Sequence, residues 1–155
     1  MREKLNVLFL CTGNSCRSQM AEGWTRHLKG DVINAYSAGV EAQGLNPHAV
    51  KVMAEAGVDI SSHTSNKIED FMKVQLDVVI TVCDHAHEAC PLFPGNCKLV
   101  HVGFDDPPKM AQKLAEKGAA EEEQLACYRK VRDEIKAFVK TLPESLGPVG
   151  DRYCI

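Results

Sequence analysis

Cys11 and Arg17 bracket five small or polar residues, Thr12-Gly13-Asn14-Ser15-Cys16, and Ser18 follows directly. A tight loop of such residues can turn successive backbone N–H groups inward and form a nest for a tetrahedral oxyanion. A helix opening at the end of the loop adds partial positive charge from its N-terminus. Arg17 supplies a planar fork able to hold two anion oxygens. The same field stabilises a thiolate at Cys11, the form in which cysteine attacks. Ser18 can donate to that thiolate, and Asn14 can brace the loop. Thr12 to Ser18 therefore read as the oxyanion-binding set. A Cys and an Arg six apart are weak evidence alone, and the weight falls on their context.

Two further cysteines are spaced for chemistry. Cys83 and Cys90 close the stretch Cys83-Asp84-His85-Ala86-His87-Glu88-Ala89-Cys90-Pro91. Two thiols that become a disulfide release two electrons, which a reduction requires and a simple hydrolysis does not. A helix over 83–90 would hold the two Cα atoms about 10.5 Å apart. A disulfide needs roughly 4.4–6.8 Å, so oxidation should unwind this segment and push it outward. The same Cys and His spacing could instead make a zinc cluster. That reading asks one strand-end segment to wrap four ligands around a metal, and it leaves the Cys11 loop unexplained. His85 and His87 then read as exposed polar residues.

The elements that must position these groups follow a strand, loop, helix rhythm. Asn6 to Leu10 is an unbroken apolar run of the type parallel sheets bury. The oxyanion loop leaves its carboxyl end, where ligands bind open α/β sheets. Ser18 is placed to cap a helix running to about Leu28. Val32 to Ser37 reads as a second strand. Pro47 opens a helix through about Ala56, with Val50, Met53 and Ala54 inward and Gly57 as its stop. Ser65 to Lys73 suggests a third short helix. Asp77 to Val82 is the clearest buried strand and delivers Cys83 to the same sheet edge as Cys11. Lys98 to Val102 is a fourth strand. Met110 to Gln124, rich in Ala, Glu and Lys, reads as an exposed, partly helical stretch. Glu122 to Leu142 carries Leu125, Tyr128, Val131, Ile135, Phe138 and Leu142 at helical spacing. The sequence predicts one α/β domain over residues 1–142, with a probable insertion at 108–124 and an irregular tail over 143–155.

Composition narrows the class. The chain has 155 residues, 45% apolar and 25% charged, with a net charge of −3. That balance gives no bulk attraction to nucleic acid or to an anionic membrane. The apolar run near the N-terminus is too short for a signal peptide core or a span, so the expected compartment is the cytoplasm. Seven cysteines, an odd number in a reducing compartment, argue against a structural disulfide framework. Cys16, Cys97 and Cys127 read as packed or ordinary thiols. Cys154 is next to last and lacks the position of a prenylated cysteine. His63 reads as a hydrogen-bonding bystander, and Trp24 as core.

The run Cys11-x5-Arg17-Ser18 resembles the signature of the low-molecular-weight tyrosine phosphatase superfamily, which implies a four-stranded parallel sheet with helices on both faces. Asp105-Asp106-Pro107 extends the resemblance, since that family carries a general-acid Asp just before a Pro. Carried over, Asp106 protonates the leaving oxygen and Asp105 is its neighbour; alone, such a stretch would be a surface turn. Gln19 replaces the family's usual Pro after the loop Ser. Pro108-Lys109 stand where phosphatases place aromatic residues, so walls for a phosphotyrosine ring are missing there. With Cys83 and Cys90, and with stretches such as Gln19-Met20-Ala21-Glu22-Gly23-Trp24, Tyr36-Ser37-Ala38-Gly39, Asn46-Pro47, His63-Thr64-Ser65 and Val131-Arg132-Asp133-Glu134-Ile135, the chain resembles thioredoxin-coupled arsenate reductases.

That resemblance implies a relay. Cys11 attacks arsenate, Cys83 attacks the Cys11 adduct and releases arsenite, and Cys90 then forms a disulfide with Cys83. Thioredoxin, or a glutaredoxin-type protein, would reduce that bond, and no tightly bound cofactor is implied. Some family members bind potassium beside the loop, and the matching positions here are Asn14, Glu22, Ser37 and Asn66. The last is an amide where a carboxylate would suit a hard cation. Two other readings stay open: a tyrosine phosphatase with regulatory cysteines, and a Cys/His module that binds arsenic or metal.

Overall fold

Leu5–Cys11 forms β1, and six of its seven residues are buried. A strand so apolar on both faces belongs inside a parallel sheet. The computed structural model describes residues 4–83, 86, 88 and 97–147, and in it β1 is interior to a four-stranded sheet. β2 is Ile33–Gly39, β3 is Val78–Thr81 and β4 is Lys98–His101. Their order is β2-β1-β3-β4 and every pairing is parallel. The chain steps from β1 to one side and later to the other, so β1 and β3 flank the crevice where such sheets bind ligands. Cys11 and Cys83 both emerge there, since Leu10 pairs with Thr81 and the Val82 N–H bonds the Leu10 carbonyl at 2.9 Å.

Among the described residues, four α-helices have their full extent: α1, Arg17–Lys29; α2, Pro47–Glu55; α3, Pro107–Glu116; and α4, Glu121–Val139. α1, α2 and α4 pack on one another. Residues Ser18 to Thr25 of α1 are all buried, so this helix is enclosed where it supports the loop. Gly23 permits that enclosure, because a Cβ there would lie 2.6 Å from Ile60 Cγ2. α4 buries Leu125, Tyr128, Val131, Ile135 and Val139 at three- and four-residue steps, each worth roughly 1.5–3 kcal/mol of burial for a residue of this size. Among the described residues, no helix is long and apolar enough to cross a membrane.

Several sequence expectations need correcting. Ser18 does not cap α1; Cys16 is the N-cap residue and makes no side-chain cap bond, because the Ser18 hydroxyl serves the loop instead. In α2 the inward face is Ala49, Val52 and Met53, while Ala54 is exposed. The cap is Asn46, whose side chain accepts from the His48 and Ala49 N–H groups. The third short helix shrinks to one 3-10 turn, Ile68–Phe71. The stretch over 110–124 is most of α3, a turn through Gly118 at φ +81 and the first turn of α4, with Ala111 buried. In the described part of the tail, Glu144–Leu146 is a 3-10 turn, Leu146 is buried and its carbonyl accepts from Lys98 Nζ. His85, His87, Cys90 and Cys154 lie outside the described residues.

Candidate active site

The oxyanion loop is built by turning its carbonyls outward. Residues 40–46 run beside it as a strap and accept that task one bond at a time. Val40 N–H donates to the Cys11 carbonyl at 3.2 Å, and Glu41 N–H to that of Thr12 at 2.9 Å. Gln43 N–H donates to Gly13 and Asn46 N–H to Ser15, each at 2.9 Å. The Ser65 hydroxyl serves the carbonyls of Gly13 and Asn14 at 3.2 and 3.0 Å, and Gln19 Nε2 reaches Asn14 at 3.1 Å. Asn14 sits at φ +49, the left-handed conformation a nest requires. Gly39 lets strap and loop approach, since a Cβ there would lie 2.3 Å from the Glu41 carbonyl and 2.6 Å from Asn14 N.

A chain of hydrogen bonds ends on the Cys11 sulfur. The Asn66 backbone N–H donates to Asn14 Oδ1 at 2.7 Å, which fixes how the Asn14 amide is turned. Asn14 Nδ2 then donates to Ser18 Oγ at 2.9 Å. Ser18 is thereby an acceptor on that side, and its own hydrogen is left for Cys11 Sγ, 2.9 Å away. A hydroxyl donor is thus aimed at the sulfur itself. Cys16 differs. Burial first, and the neighbouring Cys11 second, push its thiol far above the usual value, so it remains protonated and packed.

Arg17 spans the gap between this loop and the one bearing the acid. Its Nη1 donates to the Phe104 carbonyl at 3.0 Å, and Nη2 lies 3.7 Å from Asp106 Oδ2. Asp106 is the N-cap residue of α3, with Pro107 behind it, yet its carboxylate caps no backbone N–H and is left for the cleft. Asp105 points elsewhere, 3.8 Å from Lys130 at the surface. The cleft itself is a cavity of about 350 Å³ lined by the loop with Cys11 and Arg17 and by Gln43, Asn46, Asp106 and Pro108, of which Gln43 is exposed. Cys83 is buried, its sulfur 3.2 Å from Thr12 Oγ1 and 3.4 Å from the Ala86 N–H. Thr12, the residue directly after the first cysteine, thus holds the second.

Behind the loop, Glu22 is buried, accepts from the Ser37 hydroxyl at 2.6 Å and pairs with Arg26 at 2.9 Å. Glu22, Ser37, Ser62, Thr64 and Asn66 border a cavity of about 310 Å³. Arg26 and His63 border it as well, and Arg26 shares the Glu22 carboxylate. Asn14 does not border it, its Oδ1 being taken by Asn66 N–H and Gln19. His63, read from sequence as a bystander, bonds Gln19 Oε1 at 3.0 Å and stands 3.8 Å from Glu22. Desolvation pushes the His63 pKa down, against the pull of Glu22. Among the described residues, no three His, Cys, Asp or Glu side chains gather as metal ligands.

Sequence reasoning singled out the loop and Asp106, which the fold brings to one cleft, but not the strap, the bonds of Ser65 and the Asn66 N–H to the loop, or Gln43. Their signal is backbone hydrogen bonding across distant segments, which no residue type announces. Comparison with known proteins agrees with the geometry. Residues 6–149 match the family model described as low molecular weight phosphotyrosine protein phosphatase. An arsenate reductase of Halalkalibacterium halodurans is 51% identical over 139 residues, covering 90% of this chain and 95% of the relative. One of Bacillus subtilis is 49% identical over 139 residues, covering 90% and 95%. A solved structure of an arsenate reductase in its phosphate binding state superposes with a TM-score of 0.70 at 32% identity, covering 92% of this chain and 99% of that one.

Proposed function

This chain belongs to the low molecular weight phosphotyrosine protein phosphatase family, and on that footing we propose that it reduces arsenate to arsenite through Cys11, Cys83 and Cys90. The observation that carries the reading is the pair of buried sulfurs at one sheet edge, one inside an anion nest and the other held on Thr12. A phosphatase needs only the first.

The oxyanion binds against the inward N–H groups of Thr12 to Ser18 and the Arg17 fork. The Cys11 thiolate attacks arsenic, and the displaced oxygen takes the Asp106 proton and leaves as water. Cys83 then attacks the Cys11 sulfur. The electron pair of the sulfur–arsenic bond moves to arsenic, arsenite departs, and a Cys11–Cys83 disulfide remains. Cys90 attacks Cys83, returning the Cys11 thiolate and leaving a Cys83–Cys90 disulfide. Thioredoxin, or a glutaredoxin-type dithiol protein, supplies the two electrons that reopen it. Such a cycle belongs in the cytoplasm, where the thiol pool is reducing. Potassium, where bound, would be held by the oxygens of Glu22, Ser37 and Asn66 and would lend positive charge behind the loop.

The phosphatase alternative is supported by the family and by the Asp106–Arg17 arrangement, but among the described residues no aromatic side chain lines the cleft. The deciding assay supplies arsenate, thioredoxin, thioredoxin reductase and NADPH. The protein should consume NADPH steadily, and Cys90→Ser should stop after one arsenite per chain. Efficient aryl phosphate hydrolysis without arsenate-dependent NADPH consumption would instead make it a phosphatase.

A further inference from the structure

We propose that Gln43 is a specificity-determining residue, the group at the cleft entrance that favours a bare inorganic oxyanion over a phosphate ester. The inference rests on the arsenate-reducing reading and deepens it.

An anion seated in the nest turns its remaining oxygen outward, toward Asp106 and the entrance. In arsenate that oxygen carries a proton or nothing. In an ester it carries carbon, and the substituent must leave past Gln43, Asn46 and Pro108. Gln43 is held for this encounter at two points. Its backbone N–H is bound to the Gly13 carbonyl at 2.9 Å, and its side-chain Nε2 donates to Glu41 Oε2 at 3.2 Å. The amide lies directly over Gly13: a Cβ on that glycine would fall 2.3 Å from Gln43 Oε1 and 2.6 Å from Cδ. The face of Gly13 that a side chain would occupy is therefore turned to the Gln43 amide.

The oriented amide has a second Nε2 hydrogen and an Oε1 lone pair to offer. A protonated oxyanion, or its water, can bond to both. An aryl or alkyl group resting on the same face would bury them without partners, which costs binding. Sites built from polar groups reject partners that cannot answer them more strongly than apolar sites reject a polar intruder. Gln43 is exposed and on no helix or strand, so an apolar residue there alters the entrance while the backbone bond to Gly13 persists.

The test compares wild type with Gln43→Leu and Gln43→Met, both close to Gln in size. For each, kcat/KM is measured for arsenate with thioredoxin, its reductase and NADPH, and separately for p-nitrophenyl phosphate. The ratio of the two should shift toward the aryl ester by about tenfold, within the range one altered contact can command. A ratio within threefold of wild type in both variants overturns the role of Gln43, whether the two activities rise or fall together. If wild type itself shows no arsenate-dependent NADPH consumption, the reductase reading fails instead, and the two failures are distinct.

Discussion

Cys11 and Cys83 leave neighbouring strands at the same end of the sheet, yet their surroundings are opposite in kind. Around Cys11, the carbonyls of Cys11, Thr12, Gly13, Asn14 and Ser15 all accept hydrogen bonds from groups of residues 19 to 65, most at 2.9–3.2 Å. Among the described residues, the Cys83 sulfur is met by the Thr12 hydroxyl at 3.2 Å and the Ala86 N–H at 3.4 Å. The first cysteine is framed by backbone carbonyls bound from distant segments, and the second is held through its own sulfur. Binding an anion with backbone dipoles works only if the dipoles are already aimed, since reorienting them at each turnover would consume the gain. Passing electrons from sulfur to sulfur needs the reverse, because Cys83 must reach Cys11 and then Cys90 in succession.

The comparison breaks most sharply at the sulfurs. Cys11→Ser should abolish both arsenate reduction and aryl phosphate hydrolysis. Cys83→Ser should abolish catalytic arsenate turnover while aryl phosphate hydrolysis survives, since only the relay needs the second sulfur. Parallel NADPH-coupled and p-nitrophenol assays read the two activities. Equal loss of both in Cys83→Ser would mean that the second cysteine belongs to the frame.

A next step strikes the frame alone. In Gly39→Ala the new methyl meets only backbone, at 2.3 Å from the Glu41 carbonyl, 2.6 Å from Asn14 N and 2.8 Å from Gly13 C. Either strap or loop must give way, at roughly 1–3 kcal/mol of stability for such overpacking. A loop displaced by about 1 Å should lower kcat/KM about 100-fold, for arsenate and aryl phosphate alike. Denaturant unfolding gives the stability change. A loss confined to arsenate would contradict a shared frame.

Smaller again is Ser18→Ala, which removes the donor at 2.9 Å from Cys11 and leaves Asn14 Nδ2 without its acceptor. A hydrogen bond to a charged group is worth about 1.5–3 kcal/mol, so both activities should fall about tenfold or more. Iodoacetamide should also alkylate Cys11 more slowly at neutral pH. Unchanged alkylation would place the thiolate's support in the backbone N–H groups alone.

How much of this was legible beforehand follows from the range of each interaction. β1 and β3 were readable because burial on both faces leaves an apolar run, and the loop because Cys, Gly and Arg advertise their roles. Asp106 was separated from Asp105 by its place before Pro107, and the side chains do diverge, one toward Arg17 and one toward Lys130. Ser18 was misread as a cap since its type suits both tasks, and only the fold shows Asn14 and Cys11 claiming its hydroxyl. The strap carries no periodicity, because its work is done by main-chain N–H groups that every residue but proline possesses. Ala54 was assigned inward by spacing, whereas α2 turns Ala49, Val52 and Met53 to the core.

The gentlest test lies behind the frame, at His63. Its pKa is held below the usual 6.5 chiefly by desolvation, so the folded protein keeps this imidazole neutral where the unfolded chain would protonate it. The sign follows from linkage. As pH falls through about 6.5, the unfolded state takes up a proton that the folded state refuses, and stability declines until the lowered folded value is passed. His63→Gln keeps a side chain able to bond Gln19 but removes the titration. Melting temperatures at pH 7.5 and 5.5 should therefore lie closer together in the variant than in wild type. Since Gln19 also holds the Asn14 carbonyl and Oδ1, any effect on the loop should be modest and equal for both reactions. If wild type instead melted higher at pH 5.5 and the variant did not, His63 would be charged in the fold, and Glu22 rather than burial would govern it.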